Sequence, residues 1–278
     1  MAIVYKDRID DAVLRRLQLT QLDILDEIVR ICERHDIRYY LVGGTLLGAV
    51  RHKGFIPWDD DLDIAMPRED YIKFCELCKT ELDSGYFLHN IDSDEQYWLI
   101  FGKIRKKGTK IGEEGLKQLN THKGIYVDIF PFDDAPEEKR YIRTMIIKTL
   151  TNAICFQRGV VMPYTKKQRF IGAVLRVFSV RFLTKVQMKL MQHNANKGYS
   201  YYINYGSGYD PVKQTIPKDK YEPYKLAEFE GKQYRIPNDA DYVLKRIYND
   251  YMQLPPVEKR VLRHKPDYID FGEGYEEV

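Results

Sequence analysis

The 278-residue chain is short of several things, and each shortage narrows its reading. Four cysteines, Cys32, Cys75, Cys78 and Cys155, are too few for a disulfide scaffold, and the single C-x-x-C is followed by no second Cys or His pair at zinc-site spacing. Such a chain suits a reducing compartment, so a cytoplasmic protein is expected, at most one lying against the inner face of a membrane. No window approaches the roughly 18 uninterrupted apolar residues of a membrane span, and Met1 to Arg16 mixes acids and bases without the apolar centre of an export signal. With only 12 prolines and 18 glycines, collagen-like and low-complexity classes are excluded. Net charge is nearly absent too, +3 from 44 basic and 41 acidic residues, so total charge identifies no partner.

What remains is an ordinary globular composition, 44% hydrophobic and long enough for one large domain or two joined lobes. Charge is nevertheless unevenly placed. Between Glu138 and Asp210 there is no acidic residue, while 13 lysines and arginines run from Lys139 to Lys197. That block points to an anionic partner, an acidic glycan, a lipid-linked acceptor or a membrane surface touched through residues 139–209. Tyr199, Tyr201, Tyr202, Tyr205 and Tyr209 crowd its end and could cage a quaternary ammonium, although packing is the commoner fate of buried tyrosine. Cys75 and Cys78, one helical turn apart between Phe74 and Leu77, read as packing.

Periodicity then organises the chain. Leu14, Leu17, Leu22, Leu25, Ile28 and Ile31 mark an amphipathic helix ending near Asp36. Arg38–Val42 reads as a short strand, Gly43-Gly44 as a turn, and Thr45–His52 as a helix. Strands are expected over 97–105 and 124–130, helices over 69–82, 137–157 and 169–193, a hairpin around Glu230-Gly231-Lys232, and a last helix from Asn238 to about Met252. The pattern changes near Pro136. This suggests a mixed α/β (α+β) catalytic lobe over 1–136 and, over 137–278, a basic helical lobe whose final hairpin and helix pack back on the core.

Chemistry concentrates in the first lobe. Asp61 and Asp63 enter an otherwise apolar strand two residues apart, on one face, and Asp128 interrupts the hydrophobic run 124–130. An isolated D-x-D is weak evidence, but three carboxylates on strands beside a strand-Gly-Gly-helix unit form a pattern. Converging carboxylates raise one another's pKa, which a divalent cation relieves, and hard oxygen donors select Mg²⁺ or Mn²⁺. Gly43 and Gly44, with Thr45 opening the helix, would let backbone N–H groups approach a phosphate. Arg51, Lys103 and Arg105 are candidate cations for a diphosphate. Asp59 and Asp60 are as suited to a turn or helix cap as to chemistry, and a lone His52 is more often structural.

The stretch Leu41–Tyr71, LVGGTLLGAVRHKGFIPWDDDLDIAMPREDY, resembles the signature of the LicD family, and the likeness continues through FGKIR at 101–105, GIYVDIFP at 124–131 and the tail from Phe229 to Pro256. The resemblance implies a nucleotidyltransferase-like fold. Bacterial members of that family transfer phosphocholine from CDP-choline to cell-surface glycans, and the animal relatives fukutin and fukutin-related protein transfer ribitol phosphate from CDP-ribitol. By position, Gly43 and Gly44 match the nucleotide-phosphate turn, Asp61 and Asp63 the metal-binding pair, and Asp128 the third carboxylate. The implied activity is metal-dependent transfer of a phospho-alcohol, phosphocholine first, from a CDP-activated donor to a glycan, lipopolysaccharide or teichoic acid precursor. A D-x-D glycosyltransferase would also bind a nucleotide diphosphate through a metal, but it needs neither the glycine turn nor Asp128. A nucleotidyltransferase acting on nucleic acid could use the basic block, yet no recognition module is present.

Overall fold

The computed structural model describes residues 3–4, 9–112, 116, 119–137, 141–160, 164–264 and 266–272; Lys139 and Arg140 of the basic block lie outside them. After β1 (Ile3–Val4), Asp10 starts α1 (Asp11–Arg34) by accepting the Ala12 N–H at 2.8 Å. The expected apolar stripe of α1 is buried, with Leu17, Leu25, Ile28 and Ile31 inaccessible to solvent.

The main sheet is mixed. Its central order is β2 (Tyr40–Leu41), β3 (Asp63–Pro67), β7 (Tyr126–Ala135), β5 (Gly102–Lys106) and β4 (Tyr86–His89). β3 and β7 run parallel, and the other pairs in this row are antiparallel. The parallel crossover from β3 to β7 begins with α3 (Arg68–Glu81). α2 (Gly43–His52) links β2 to the acidic segment, so the glycines expected as a separate turn are instead its first two residues. β6 (Lys110–Ile111) joins β12 (Tyr268–Asp270), which also pairs with β1, in a small separate sheet.

Two strands differ from their sequence pattern for identifiable reasons. β5 starts only at Gly102, because Tyr97 folds back and donates its hydroxyl to the Phe101 carbonyl at 2.8 Å. β7 runs through Pro131 to Ala135. Its partner changes there from β5, which pairs as far as Ile129, to β8 (Tyr201–Ile203), which pairs from Asp133, so the missing proline N–H falls in the gap. β9 (Thr215–Pro217) extends this end of the sheet.

Beyond β7 come α4 (Tyr141–Arg158), α5 (Lys166–Leu175) and α6 (Val180–Met191). The single helix expected over 169–193 is two, because Ser179 accepts the Phe182 N–H at 3.2 Å and caps a new start. These helices enclose their own apolar cluster of Leu150, Ile154, Cys155 and Leu183 with Trp98. The hairpin β10 (Lys225–Phe229)–β11 (Lys232–Ile236) and α7 (Ala240–Tyr248) return to the main core, where Phe229, Tyr234, Val243 and Leu244 pack with residues of α1 and β3. Among the described residues no helix is long and apolar enough to cross a membrane.

Candidate active site

Strand register builds the first part of the site. Asp63 of β3 lies beside Asp128 of β7, and Asp128 lies beside Lys103 of β5. Residues in register share a sheet face, so the three form a row across the centre of the sheet. Lys103 Nζ donates to Asp128 Oδ1 at 2.5 Å and sits 3.4 Å from the centre of the Tyr126 ring. Both ends of this ion pair are buried, and the ring face supplies further stabilisation for the ammonium.

Asp61 precedes β3 instead of belonging to it, yet it lines the same cavity as Asp63 and Asp128, a space of about 170 Å³. The loop that delivers it hangs from α1. Gln18 donates to the Asp59 carbonyl at 3.0 Å and Gln21 to the Asp60 carbonyl at 2.9 Å, satisfying backbone acceptors that burial would otherwise orphan. Glu230 holds the preceding stretch by accepting the Phe55 N–H at 3.1 Å while paired with Arg15 at 2.6 Å.

The α2 glycines make room for carboxylates. Gly43 has φ +58°, and a Cβ there would stand 3.0 Å from Asp63 Oδ2; a Cβ on Gly44 would stand 2.5 Å from Asp59 Oδ2. Thr45 fixes the adjoining strand, its hydroxyl accepting the Asp63 N–H at 2.8 Å. Acids therefore gather at the positive end of a helix, where the macrodipole favours them.

Even so, negative charge is in excess. Burial and then the charge of Asp61 push the carboxyls of Asp63 and Asp59 well above the usual range. Burial also raises Asp128, against the opposing pull of Lys103. Two cations reach the cluster from the tail. Asp60 accepts the backbone N–H of Arg263 at 3.3 Å and that of His264 at 3.1 Å, and His264 Nδ1 lies 3.6 Å from Asp61. Burial opposes protonation of His264, but its bond to Asp60 and the charges of Asp61, Asp60 and Asp128 outweigh this and lift its pKa to about 9. The Arg263 guanidinium reaches Tyr209 Oη at 3.3 Å and lines the cavity with His264.

Two donor sets share Asp61. Asp60, Asp61 and His264 bring ligand atoms within 4.8 Å of one another, and Asp61, Asp63 and Asp128 face one cavity. The first set is partly spent, because Asp60 already accepts from the 263–264 segment. The second offers oxygens whose repulsion is only partly relieved. Its chemistry fits a hard divalent cation.

Comparison with known proteins gives the family. The family model for the LicD/FKTN/FKRP nucleotidyltransferase domain matches residues 36–178, which contain Gly43, Asp61, Asp63 and Asp128. The lipopolysaccharide cholinephosphotransferase LicD of Haemophilus influenzae is 34% identical over 261 residues, covering 90% of this chain and 96% of that protein. The chain belongs to the LicD family. Human and mouse ribitol 5-phosphate transferase FKRP are each 49% identical over 105 residues, 38% of this chain and 19% of theirs. As a LicD-family protein with this mixed α/β sheet, the chain is a phosphotransferase.

Other residues singled out from the sequence lie elsewhere in this LicD-family chain. Arg105 is fully buried away from the cavity, donating to the Gly124 carbonyl at 2.7 Å and to His89 Nδ1 at 2.8 Å. Arg51 donates to the Tyr251 carbonyl at 2.6 Å and to His52 Nε2 at 2.9 Å. Of the five clustered tyrosines only Tyr209 lines the cavity; Tyr202 packs on Phe132 and Tyr221, and Tyr205 on a small core with Ile147 and Met191. Cys78 is buried in the main core with Cys75 against it, and burial raises both thiols. Sequence reasoning missed Arg263, His264, Gln18 and Gln21. The two glutamines carry a signal in retrospect, as polar residues on the inward face of α1, whereas Arg263 and His264 follow no periodic pattern.

Proposed function

We propose that this LicD-family phosphotransferase moves a phospho-alcohol, phosphocholine first among candidates, from a CDP-activated donor to a hydroxyl of a cell-surface glycan, with Mg²⁺ or Mn²⁺ held by Asp61, Asp63 and Asp128. The observation that carries this reading is the convergence of those three carboxylates on one cavity that also presents Arg263. The named activities of the Haemophilus LicD and FKRP relatives support the substrate class.

A bound divalent ion would neutralise the acids and draw charge from the donor diphosphate. The remaining work falls to side chains. Arg263, which lines the cavity and donates to Tyr209, would bind a phosphate, while Tyr209 and the glycine-bearing start of α2 limit how the donor lies. The acceptor hydroxyl oxygen forms the new bond to the donor's β-phosphorus as the bond to the CMP oxygen breaks. Asp128 receives the hydroxyl proton, and Lys103 holds that carboxylate in line.

The test is CMP release from CDP-choline, CDP-ethanolamine and CDP-ribitol, with and without EDTA, beside UDP-sugars. Metal-dependent CMP release from one CDP-alcohol supports the proposal. Turnover of UDP-sugars alone would replace it with a glycosyltransferase reading.

A further inference from the structure

The acid-free region presents a surface that the proposed chemistry does not use. On α5, Phe170 and Val174 lie one turn apart; Val177 and Phe178 follow in the turn, and Phe182 of α6 stacks on Phe178 with ring centres 5.3 Å apart. All five are exposed, Phe170 to 70% and Val177 to 80%. Burial of aromatic and aliphatic side chains normally drives packing, so a run of them left in water signals a missing partner. Lys166, Lys167, Arg169, Arg176, Arg181 and Lys185 are exposed along the same helices. Among the described residues none of Lys166, Lys167, Arg169, Arg181 and Lys185 is ion-paired with a carboxylate.

We propose that the α5–α6 face docks on the surface of an anionic lipid bilayer. Apolar tips flanked by basic side chains match the two layers of such a surface: Phe170, Val174, Val177, Phe178 and Phe182 enter the acyl boundary, and the lysines and arginines remain at the phosphates with their stems on the apolar side. A glycan chain would meet the basic groups but give the phenylalanines nothing apolar to enter. A second copy applying the same face would set like charges against each other, since an isologous contact repeats one surface on both sides. Charge complementarity therefore selects the bilayer. Among the described residues no helix is long and apolar enough to cross the bilayer, and the docking proposed is peripheral.

Co-sedimentation of the full chain with vesicles of phosphatidylcholine alone, and of phosphatidylcholine containing about one-third phosphatidylglycerol, tests this. Binding at least about tenfold tighter to the anionic vesicles is expected, weakening as salt rises. Phe170→Ser with Val177→Ser should reduce it about tenfold at unchanged thermal unfolding temperature, and Lys166→Glu with Lys167→Glu should abolish the preference for anionic lipid. Equal partition to both vesicles overturns the proposal. So does binding indifferent to the apolar substitutions, which would mark a general polyanion surface, or a concentration-dependent dimer that the same substitutions dissolve.

Discussion

Asp128 and Asp133 lie on the same strand and both are almost completely buried, at 7% and 1% exposure, but their surroundings follow opposite rules. Their odd spacing puts them on opposite faces of β7. Asp133 is matched one to one by Arg68, whose Nε and Nη2 donate to its two oxygens at 2.8 and 2.7 Å. Asp128 has Lys103 but also faces Asp61 and Asp63, and burial followed by neighbouring charge holds the carboxyl of Asp63 well above the usual carboxylate range, while burial raises that of Asp128 against the pull of Lys103. A buried acid with a bidentate arginine is architecture. A group of buried acids with too few cations is electrostatically strained, and in the proposed function a bound cation relieves that strain.

The sharpest way to break this contrast is to remove a charge from the crowded side. Asp63→Asn should lower CMP release on the order of a thousandfold, about 4 kcal/mol of barrier. In EDTA the same variant should unfold at a higher temperature than the parent, a gain of about 1 kcal/mol, because a repelled carboxylate has gone. Loss of both activity and metal-free stability would show that Asp63 is paired after all. On the matched side the expectation reverses. Asp133→Asn leaves the Arg68 guanidinium buried without its counter-charge and should cost about 3 kcal/mol in urea unfolding, with activity per folded molecule retained. An unchanged midpoint would remove the distinction between the two faces.

Much of the crowded side was legible because acids that interrupt apolar strands stand out against period-two alternation. Asp61, Asp63, Asp128 and Gly43 meet at one cavity, as their pattern suggested. Lys103 was legible as far as its strand face, but the same parity placed Arg105 beside it without saying that Arg105 ends among His89, Tyr126 and the Gly124 carbonyl. Alternation fixes which face a side chain takes and leaves its position along the strand undetermined. Arg263 and His264 were illegible for a different reason: they reach Asp60 and Asp61 from about 200 residues away through a tail with no repeating pattern. Helix breaks obey local chemistry, and Ser179 could have announced the start of α6 had capping been weighed against the longer apolar period.

His89 offers the mildest test, a buried titratable group whose partners are complete. Its Nδ1 accepts from Arg105 Nε at 2.8 Å, which leaves no room for a proton there, and its Nε2 faces Asp94 Oδ2 at 2.9 Å and Thr121 Oγ1 at 3.0 Å. Burial first, then the Arg105 charge, lower its pKa to about 3, against the pull of Asp94. The unfolded chain takes up a proton on this histidine near pH 6.5 and the folded chain does not, so its contribution to stability is full above 6.5 and declines as pH falls towards 3. Between pH 7 and pH 5 the parent should lose about 2 kcal/mol through this group alone. His89→Gln, able to accept from Arg105 and donate to Asp94, should remove that increment from urea unfolding measured at the two pH values. If parent and variant lose stability in parallel, His89 is already charged in the fold, and a full set of hydrogen-bond partners does not suffice to keep a buried group of this sheet neutral.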